Sequence, residues 1–189
     1  DILNTNSSAA ITAVGTVQMQ AQAGNIGNAA TIASGTGADV LLTADGNIVN
    51  SGAIGSGRLV SFAAGSNISN TAAITAVDSI TMTAGNDINN SDMLTAGSSV
   101  ILTAGNDIGN TAAITAAEAI TMEAASDITS DGTLTAVKDV QLIADGGNIN
   151  IDDGGTVTSK QGSINLVTKN TGAAGQGAIT VNAALDAKN

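Results

Sequence analysis

The chain has 189 residues, with five Lys and Arg against 16 Asp and Glu, a formal net charge of −11, and no Cys, Pro, His, Trp or Tyr. The missing cysteines exclude a disulfide scaffold and a thiolate metal site, and the missing histidines exclude a Ser-His-Asp triad. The excess of acidic residues opposes binding to nucleic acid or to an anionic membrane. The sequence contains no run of ~20 apolar residues, so no membrane-spanning helix is predicted.

The middle of the sequence repeats itself every 20 residues. A first apolar column follows Asn or Asp and consists of Ile48, Ile68, Ile88, Ile108 and Ile128. A second column lies six residues further on and consists of Ile54, Ile74, Leu94, Ile114 and Leu134. A third lies six residues beyond that and begins each longer apolar run. Repeats of this length are typical of stacked units that cannot bury an apolar face alone.

Within each repeat, apolar and polar residues alternate, as in the run from Ile80 to Ala84. Alternation of this kind predicts a short strand with one buried face. Each run is bounded by Gly, Asn, Asp or Ser, which favour turns and leave no room for a helical stripe. Three strands and three corners per 20 residues predict an all-β fold, a single right-handed parallel β-helix of triangular section with eight to nine coils. Coils stacked ~4.8 Å apart would give a rod about 40 Å long.

In chain order, the coils are looser over residues 1–39, regular over about 40–150 and looser again over 151–189, all within one domain. The predicted first residues of the third strands are Val17, Val40, Val60, Ile80, Val100, Ile120, Val140, Ile164 and Ile179. The wider gaps on either side of the regular block predict corner loops near 33–38 and 152–160. The gap of 15 residues before Ile179 predicts a shortened coil. Because the chain starts at Asp1 in the middle of the pattern, we expect a piece of a longer repeat protein.

Two polar columns accompany the apolar ones. The first is predicted to point inward as a structural ladder of amide hydrogen bonds, and it consists of Asn50, Asn70, Asn90 and Asn110, with Asn28 before and Ser130 after. The second stacks Asp87, Asp107 and Asp127 at a corner. Stacked carboxylates repel unless a cation or turn hydrogen bonds offset the repulsion. These three residues are therefore weak candidates for a divalent cation site, and a role as turn formers is the alternative.

The sequence gives little support for a catalytic site. The acidic pair Asp152 and Asp153 lies beside two glycines and has no aromatic neighbour to hold a sugar. The basic residues do not cluster in the coil register, as a lyase site would need. We therefore predict no enzyme activity, no catalytic residue and no cofactor.

The segment from Asn86 to Ile108, Asn-Asp-Ile-Asn-Asn-Ser-Asp-Met-Leu-Thr-Ala-Gly-Ser-Ser-Val-Ile-Leu-Thr-Ala-Gly-Asn-Asp-Ile, resembles the filamentous haemagglutinin repeat. The resemblance covers residues 40–150 well and both ends more loosely. It implies the shaft of a two-partner-secretion exoprotein, secreted or held at a bacterial cell surface, that contacts host or neighbouring cells. The receptor is not implied.

Two other functions fit the pattern. One is an ice-binding solenoid, because Thr75, Thr95, Thr115 and Thr135 form an exposed threonine rank. The columns predicted beside that rank are irregular, and threonine is also simply a good strand residue. The other is an extracellular fibre subunit whose copies stack end to end, since no capping segment is evident at either end.

Overall fold

A computed structural model of the chain describes residues 1–169 and 177–188. Over these residues the chain is a parallel β-helix with three sheets, each formed by one strand from every coil. The first and second sheets have nine strands and the third has eight. The described residues thus form eight full coils and the first two strands of a ninth, as the repeat predicts.

The strands are short and recur in a fixed order. The first sheet contains Ile2–Asn4, Ile26–Asn28, Ile48–Asn50, Ile68–Asn70, Ile88–Asn90, Ile108–Asn110, Ile128–Ser130, Ile149–Ile151 and Ile179–Val181. The second contains Ala10–Ala13, Thr31–Thr36, Ile54–Gly57, Ile74–Ala76, Leu94–Ala96, Ile114–Ala116, Thr133–Ala136, Thr156–Ser159 and Ala184–Ala187. The third contains Val17–Ala21, Val40–Ala44, Val60–Ala64, Ile80–Ala84, Val100–Ala104, Ile120–Ala124, Val140–Ala144 and Ile164–Thr168.

The 20-residue period sets the register between coils. Ile68 pairs with Ile48 on one side and with Ile88 on the other, and the same spacing holds in the other two sheets. Inward residues therefore stack on residues of the same kind, and the three apolar columns are buried throughout the regular coils. Phe62, the single aromatic residue, is fully buried in the third sheet. Burial of about 25 cal/mol per Å² of apolar surface makes these continuous columns the main stabilising element.

The coil that begins at Val17 holds three extra residues, and the structure divides them between two corners. Two lie within 33–38, because Ile32 and Val40 are eight residues apart where regular coils use six. The prediction of a loop there is correct only in part, because the strand Thr31–Thr36 continues into it with a register shift between Ala33 and Thr36. This loop turns through Gly37, which has φ 74°. The third extra residue lies in the preceding corner, where Ala23 adopts φ 57°. Sequence spacing located the first insertion and missed the second.

The coil that begins at Val140 holds four extra residues, and they are spread over all three of its corners. One precedes Ile149, two lie between Ile151 and Val157, and one lies between Val157 and Ile164. The predicted loop at 152–160 is correct only in part, because Thr156–Ser159 within it is a strand of the second sheet. Each corner of this coil holds one or two added residues, while the strands on either side of it still pair with the strands of the preceding coil.

The prediction for Ile179 is wrong. Ile179 lies in the first sheet, where it pairs with Ile149, so it does not start a third-sheet strand. In a regular coil eight residues separate the start of the third strand from the next first-sheet strand, as from Val60 to Ile68. Ile179 therefore begins the next first-sheet strand, seven residues later than the regular spacing from Ile164 would place it, and the predicted shortened coil is not found there.

Candidate functional site

An unbroken column of amides, buried from Asn28 onward and half-buried at Asn4, lies at the end of the first-sheet strands; we call it the asparagine ladder. Its members are Asn4, Asn28, Asn50, Asn70, Asn90 and Asn110. In each rung the Nδ2 group donates to the Oδ1 atom of the asparagine one coil further on, at 2.7–2.8 Å. The last rung runs from Asn110 Nδ2 to Ser130 Oγ at 3.3 Å.

Several rungs use the second amide hydrogen as well. Asn70 Nδ2 also donates to the Ala72 carbonyl oxygen at 2.8 Å, and Asn28 and Asn110 do the same two residues ahead. The ladder stops where Ile151, buried and apolar, follows Ser130 in the column. Because the side chains are buried and pair with each other, they offer nothing to a ligand and connect one coil to the next.

A second ladder runs along the corner between the third and first sheets; we call it the corner ladder. Its members are Asp1, Asn25, Asn47, Asn67, Asp87, Asp107, Asp127 and Asn148. The Oδ1 atom of each accepts the backbone N–H of the residue one coil further on, at 2.6–3.3 Å. Either Asn or Asp serves, because only a carbonyl or carboxylate oxygen is needed.

The candidate cation ligands Asp87, Asp107 and Asp127 are three consecutive members of the corner ladder. The structure stacks them as the period predicts, and their Oδ1 atoms are occupied by backbone N–H groups. Asn106 adds amide donation to Asp87 Oδ1 at 2.8 Å and to Asp107 Oδ2 at 3.1 Å. Over residues 1–169 and 177–188, no group of three or more His, Cys, Asp or Glu could hold a metal ion. The contacts favour the turn-forming alternative.

The threonine rank lies on the outward face of the second sheet. Thr75, Thr95, Thr115 and Thr135 pair in register on successive coils. Thr158 continues the rank after Thr135, and Gly55 precedes it. The hydroxyl groups therefore repeat at the strand spacing of ~4.8 Å along one flat face.

The charged side chains are concentrated at the corners. Of the five basic and 16 acidic residues, only Glu123 and Asp186 lie within strands. The three sheet faces are consequently close to neutral, and the corners carry most of the −11 net charge. Charges at corners remain solvated, whereas charges inside the columns would not.

The ion pairs between successive coils were not predicted from the sequence. Lys138 Nζ lies 2.7 Å from Glu118 Oε1, and Lys169 Nζ lies 2.8 Å from Asp145 Oδ1. The hydrogen bond from Lys138 lowers the pKa of Glu118, and the hydrogen bond to Asp145 raises the pKa of Lys169. The 20-residue spacing of Glu118 and Lys138 was the signal that could have revealed their pairing.

A third ion pair, with two contacts and a buried carboxylate, lies at the first insertion. Arg58 donates through Nε to Asp39 Oδ1 at 2.7 Å, and a second guanidinium nitrogen donates to Asp39 Oδ2. Asp39 is only 7% exposed, and its hydrogen bond raises the pKa of Arg58. A two-point contact to a buried carboxylate fixes the loop at 33–38 against the next coil.

The acidic residues considered for hydrolysis belong to the irregular coil after Ser130. Asp152 is half-buried and accepts a hydrogen bond from Asn150 Nδ2 at 2.9 Å, whereas Asp153 is exposed. Burial, together with the neighbouring Asp152 carboxyl group, raises the pKa of Asp131, one coil earlier. The Oδ1 atom of Asp131 is buried without a hydrogen-bond partner among the described residues.

Within residues 1–169 and 177–188, no helix has the length and apolar character needed to cross a membrane. No family model, curated protein or solved structure matches this chain.

Proposed function

We propose that this chain is a shaft segment of a secreted or surface-displayed bacterial exoprotein, and that it holds an adhesive or toxic module away from the cell. The observation that carries this proposal is the continuity of the coil stack. Three sheets pass from coil to coil through the regular block, and both ladders add side-chain bonds across the same boundaries. Bending the rod would stretch these bonds together, because no boundary in that block lacks them.

The resemblance to the filamentous haemagglutinin repeat supports the bacterial surface context. The concentration of charge at the corners fits the same role, since it keeps a long acidic rod hydrated while its core stays apolar. In this proposal, the shaft or its tip contacts host or neighbouring cells. The chain's own work is mechanical and involves no catalysis or cofactor.

Stiffness is tested by the dipolar coupling between two nitroxide spin labels, which is sensitive to separations of a few coil spacings. The chain contains no cysteine, so two introduced cysteines can be labelled cleanly. Exposed Thr111 and Thr71 are two coils apart on one corner, and Ser51 and Thr111 are three. We expect narrow distance distributions whose means differ by one coil spacing, about 4.8 Å. Broad distributions would show a flexible chain and refute a stiff spacer.

Location is tested separately, with antibodies raised against the purified chain. We expect them to label the surface of intact producing cells, or protein in the medium. Labelling that requires cell lysis would refute the surface role even if the rod proved stiff.

Ice binding is a second candidate, and the threonine rank is the observation that favours it. Regular hydroxyl groups on a flat face can order water at a repeat set by the backbone. We expect thermal hysteresis in dilute solution if this function is real, and its loss when Thr115 is replaced by Lys. Wild-type solutions without thermal hysteresis would eliminate this candidate.

A further inference from the structure

The threonine rank is the middle of a broader neutral strip on the second sheet. Three outward columns form this strip over five coils: Ala53, Ala73, Met93, Ala113 and Thr133; Gly55, Thr75, Thr95, Thr115 and Thr135; and Gly57, Val77, Gly97, Ala117 and Val137. The strip contains no charged residue, and two large apolar side chains, Val77 and Met93, are 63% and 45% exposed on it. An uncharged strip that exposes apolar side chains on an acidic protein is typical of a contact surface.

The charge distribution favours a second copy of this chain as the partner. Two rods with a net charge of −11 repel each other when acidic corners meet. The third sheet exposes Glu123 beside Thr103, and the first sheet borders the part of the corner ladder that holds Asp87, Asp107 and Asp127. Two basic and three acidic residues border the neutral strip, so two copies approach on this face with less net negative charge between them than on the other two faces.

The shape of the strip favours a parallel arrangement. A two-fold axis along the rod places the first column of one copy opposite the last column of the other, at the same coil. Met93 then faces Gly97, and Val77 faces Ala73, so each protruding side chain meets a small residue. Gly97 cannot become larger, because a Cβ atom there would lie 2.0 Å from the Val77 carbonyl oxygen.

The charges beside the strip agree with this orientation. In the parallel arrangement the column of Arg58, Asp78, Ser98, Glu118 and Lys138 faces the column of Gly52, Ala72, Asp92, Ala112 and Gly132. Asp92 meets Ser98, and no like charges are opposed. A centred antiparallel packing would instead oppose Arg58 to Lys138 and Asp78 to Glu118, which is unfavourable.

We propose that the neutral strip is a lateral contact surface through which two copies of this chain associate side by side and parallel. The strip is about 15 Å wide, and with its continuation onto the flanking coils it buries roughly 1,000 Å² in total, which places the contact among weak interfaces. Such a contact suits shafts that stand next to each other, where many copies reinforce one another. The contact does not depend on the shaft function, because a monomeric rod could still serve as a spacer.

Sedimentation velocity over a wide concentration range tests the association. We expect the wild-type mass to rise from 18.2 kDa towards twice that value at high concentration. Thr115→Glu places two facing carboxylates in the strip and is expected to raise the dissociation constant at least tenfold. The matched control Thr83→Glu changes an exposed threonine of the third sheet and is expected to associate as the wild type does. Circular dichroism verifies that both variants fold.

Cross-linking tests the orientation. Single cysteines replace Thr75, Thr95, Thr115 and Thr135 in four separate variants, which are treated with a short bis-maleimide reagent. Parallel packing opposes each position to itself, so all four variants are expected to give dimers, whereas centred antiparallel packing allows one at most. Three outcomes would overturn the proposal. The four cysteine variants could fail to cross-link, the two Glu substitutions could have equal effects on association, or the wild type could stay monomeric at every concentration. Thermal hysteresis from a strictly monomeric wild type would assign the strip to ice instead.

Discussion

Replacing one rung of the asparagine ladder tests whether the buried amides hold the coils together. In the substitution Asn90→Ala, Asn110 Oδ1 loses its donor and one hydrogen of Asn70 Nδ2 loses its acceptor. Both neighbours are buried, so water cannot replace the lost bonds without opening the coil. An unsatisfied buried polar group costs about 1–3 kcal/mol, so the two together predict a loss of roughly 2–6 kcal/mol in unfolding free energy.

The matched control is Asn89→Ala, which removes the same atoms from the adjacent, exposed position. This control is expected to change the unfolding free energy by no more than about 0.5 kcal/mol. Urea unfolding followed by far-UV circular dichroism measures both variants, and comparable slopes show that the denaturant comparison is valid. Equal unfolding free energies for the two variants would refute the claim that the ladder stabilises the stack.

Three further substitutions probe the apolar columns, the corner ladder and the irregular coil. Leu102→Asp puts a carboxylate in the core; loss of the buried side chain alone costs about 2–5 kcal/mol, and the charge adds several more, so the melting temperature should drop sharply. Asp107→Asn keeps the oxygen that accepts the next coil's N–H and removes one of three stacked charges, so the unfolding free energy should stay unchanged or rise slightly. Asp107→Ala removes that oxygen and should lower the unfolding free energy by about 1 kcal/mol. Asp131→Asn should stabilise the chain at neutral pH, because the raised pKa of Asp131 means that its ionised form destabilises the folded state. That gain should vanish in strongly acid solution, below the pKa of unfolded Asp at about 3.9.

Each of these expectations has an outcome that contradicts it. A Leu102→Asp variant with the wild-type melting temperature would show that the column does not face the core. Asp107→Ala and Asp107→Asn variants of equal stability would remove the corner ladder as a source of stability. For the irregular coil, Asp153→Asn is the control because Asp153 is exposed. A pH-independent gain from Asp131→Asn, or the same gain from Asp153→Asn, would contradict the assignment of the raised pKa to the burial of Asp131.

The sequence by itself determined the repeating part of this protein. Alternation within runs such as Ile80 to Ala84 assigns each side chain to the inside or the outside, because successive residues of a strand point to opposite faces. A constant period of 20 then stacks like residues, so the apolar columns and the buried positions of Asn50 and Asn70 could be worked out without coordinates. The stacking of Asp87, Asp107 and Asp127 also followed from the period.

Tertiary structure decided everything that depends on how an irregular coil closes. The seven residues added before Ile179 could have formed a shortened coil or a longer corner, and only the pairing of Ile179 with Ile149 distinguishes them. The position of a strand is set by the neighbouring strand with which its backbone forms hydrogen bonds. The spacing of residues along the sequence does not identify that neighbour. The same holds for Arg58 and Asp39, whose contact depends on how the irregular segment at 33–38 places Asp39 against the next coil. The hydrogen bonds that backbone N–H groups donate to the stacked Asp side chains likewise follow from the contact between successive coils, which only the tertiary structure shows.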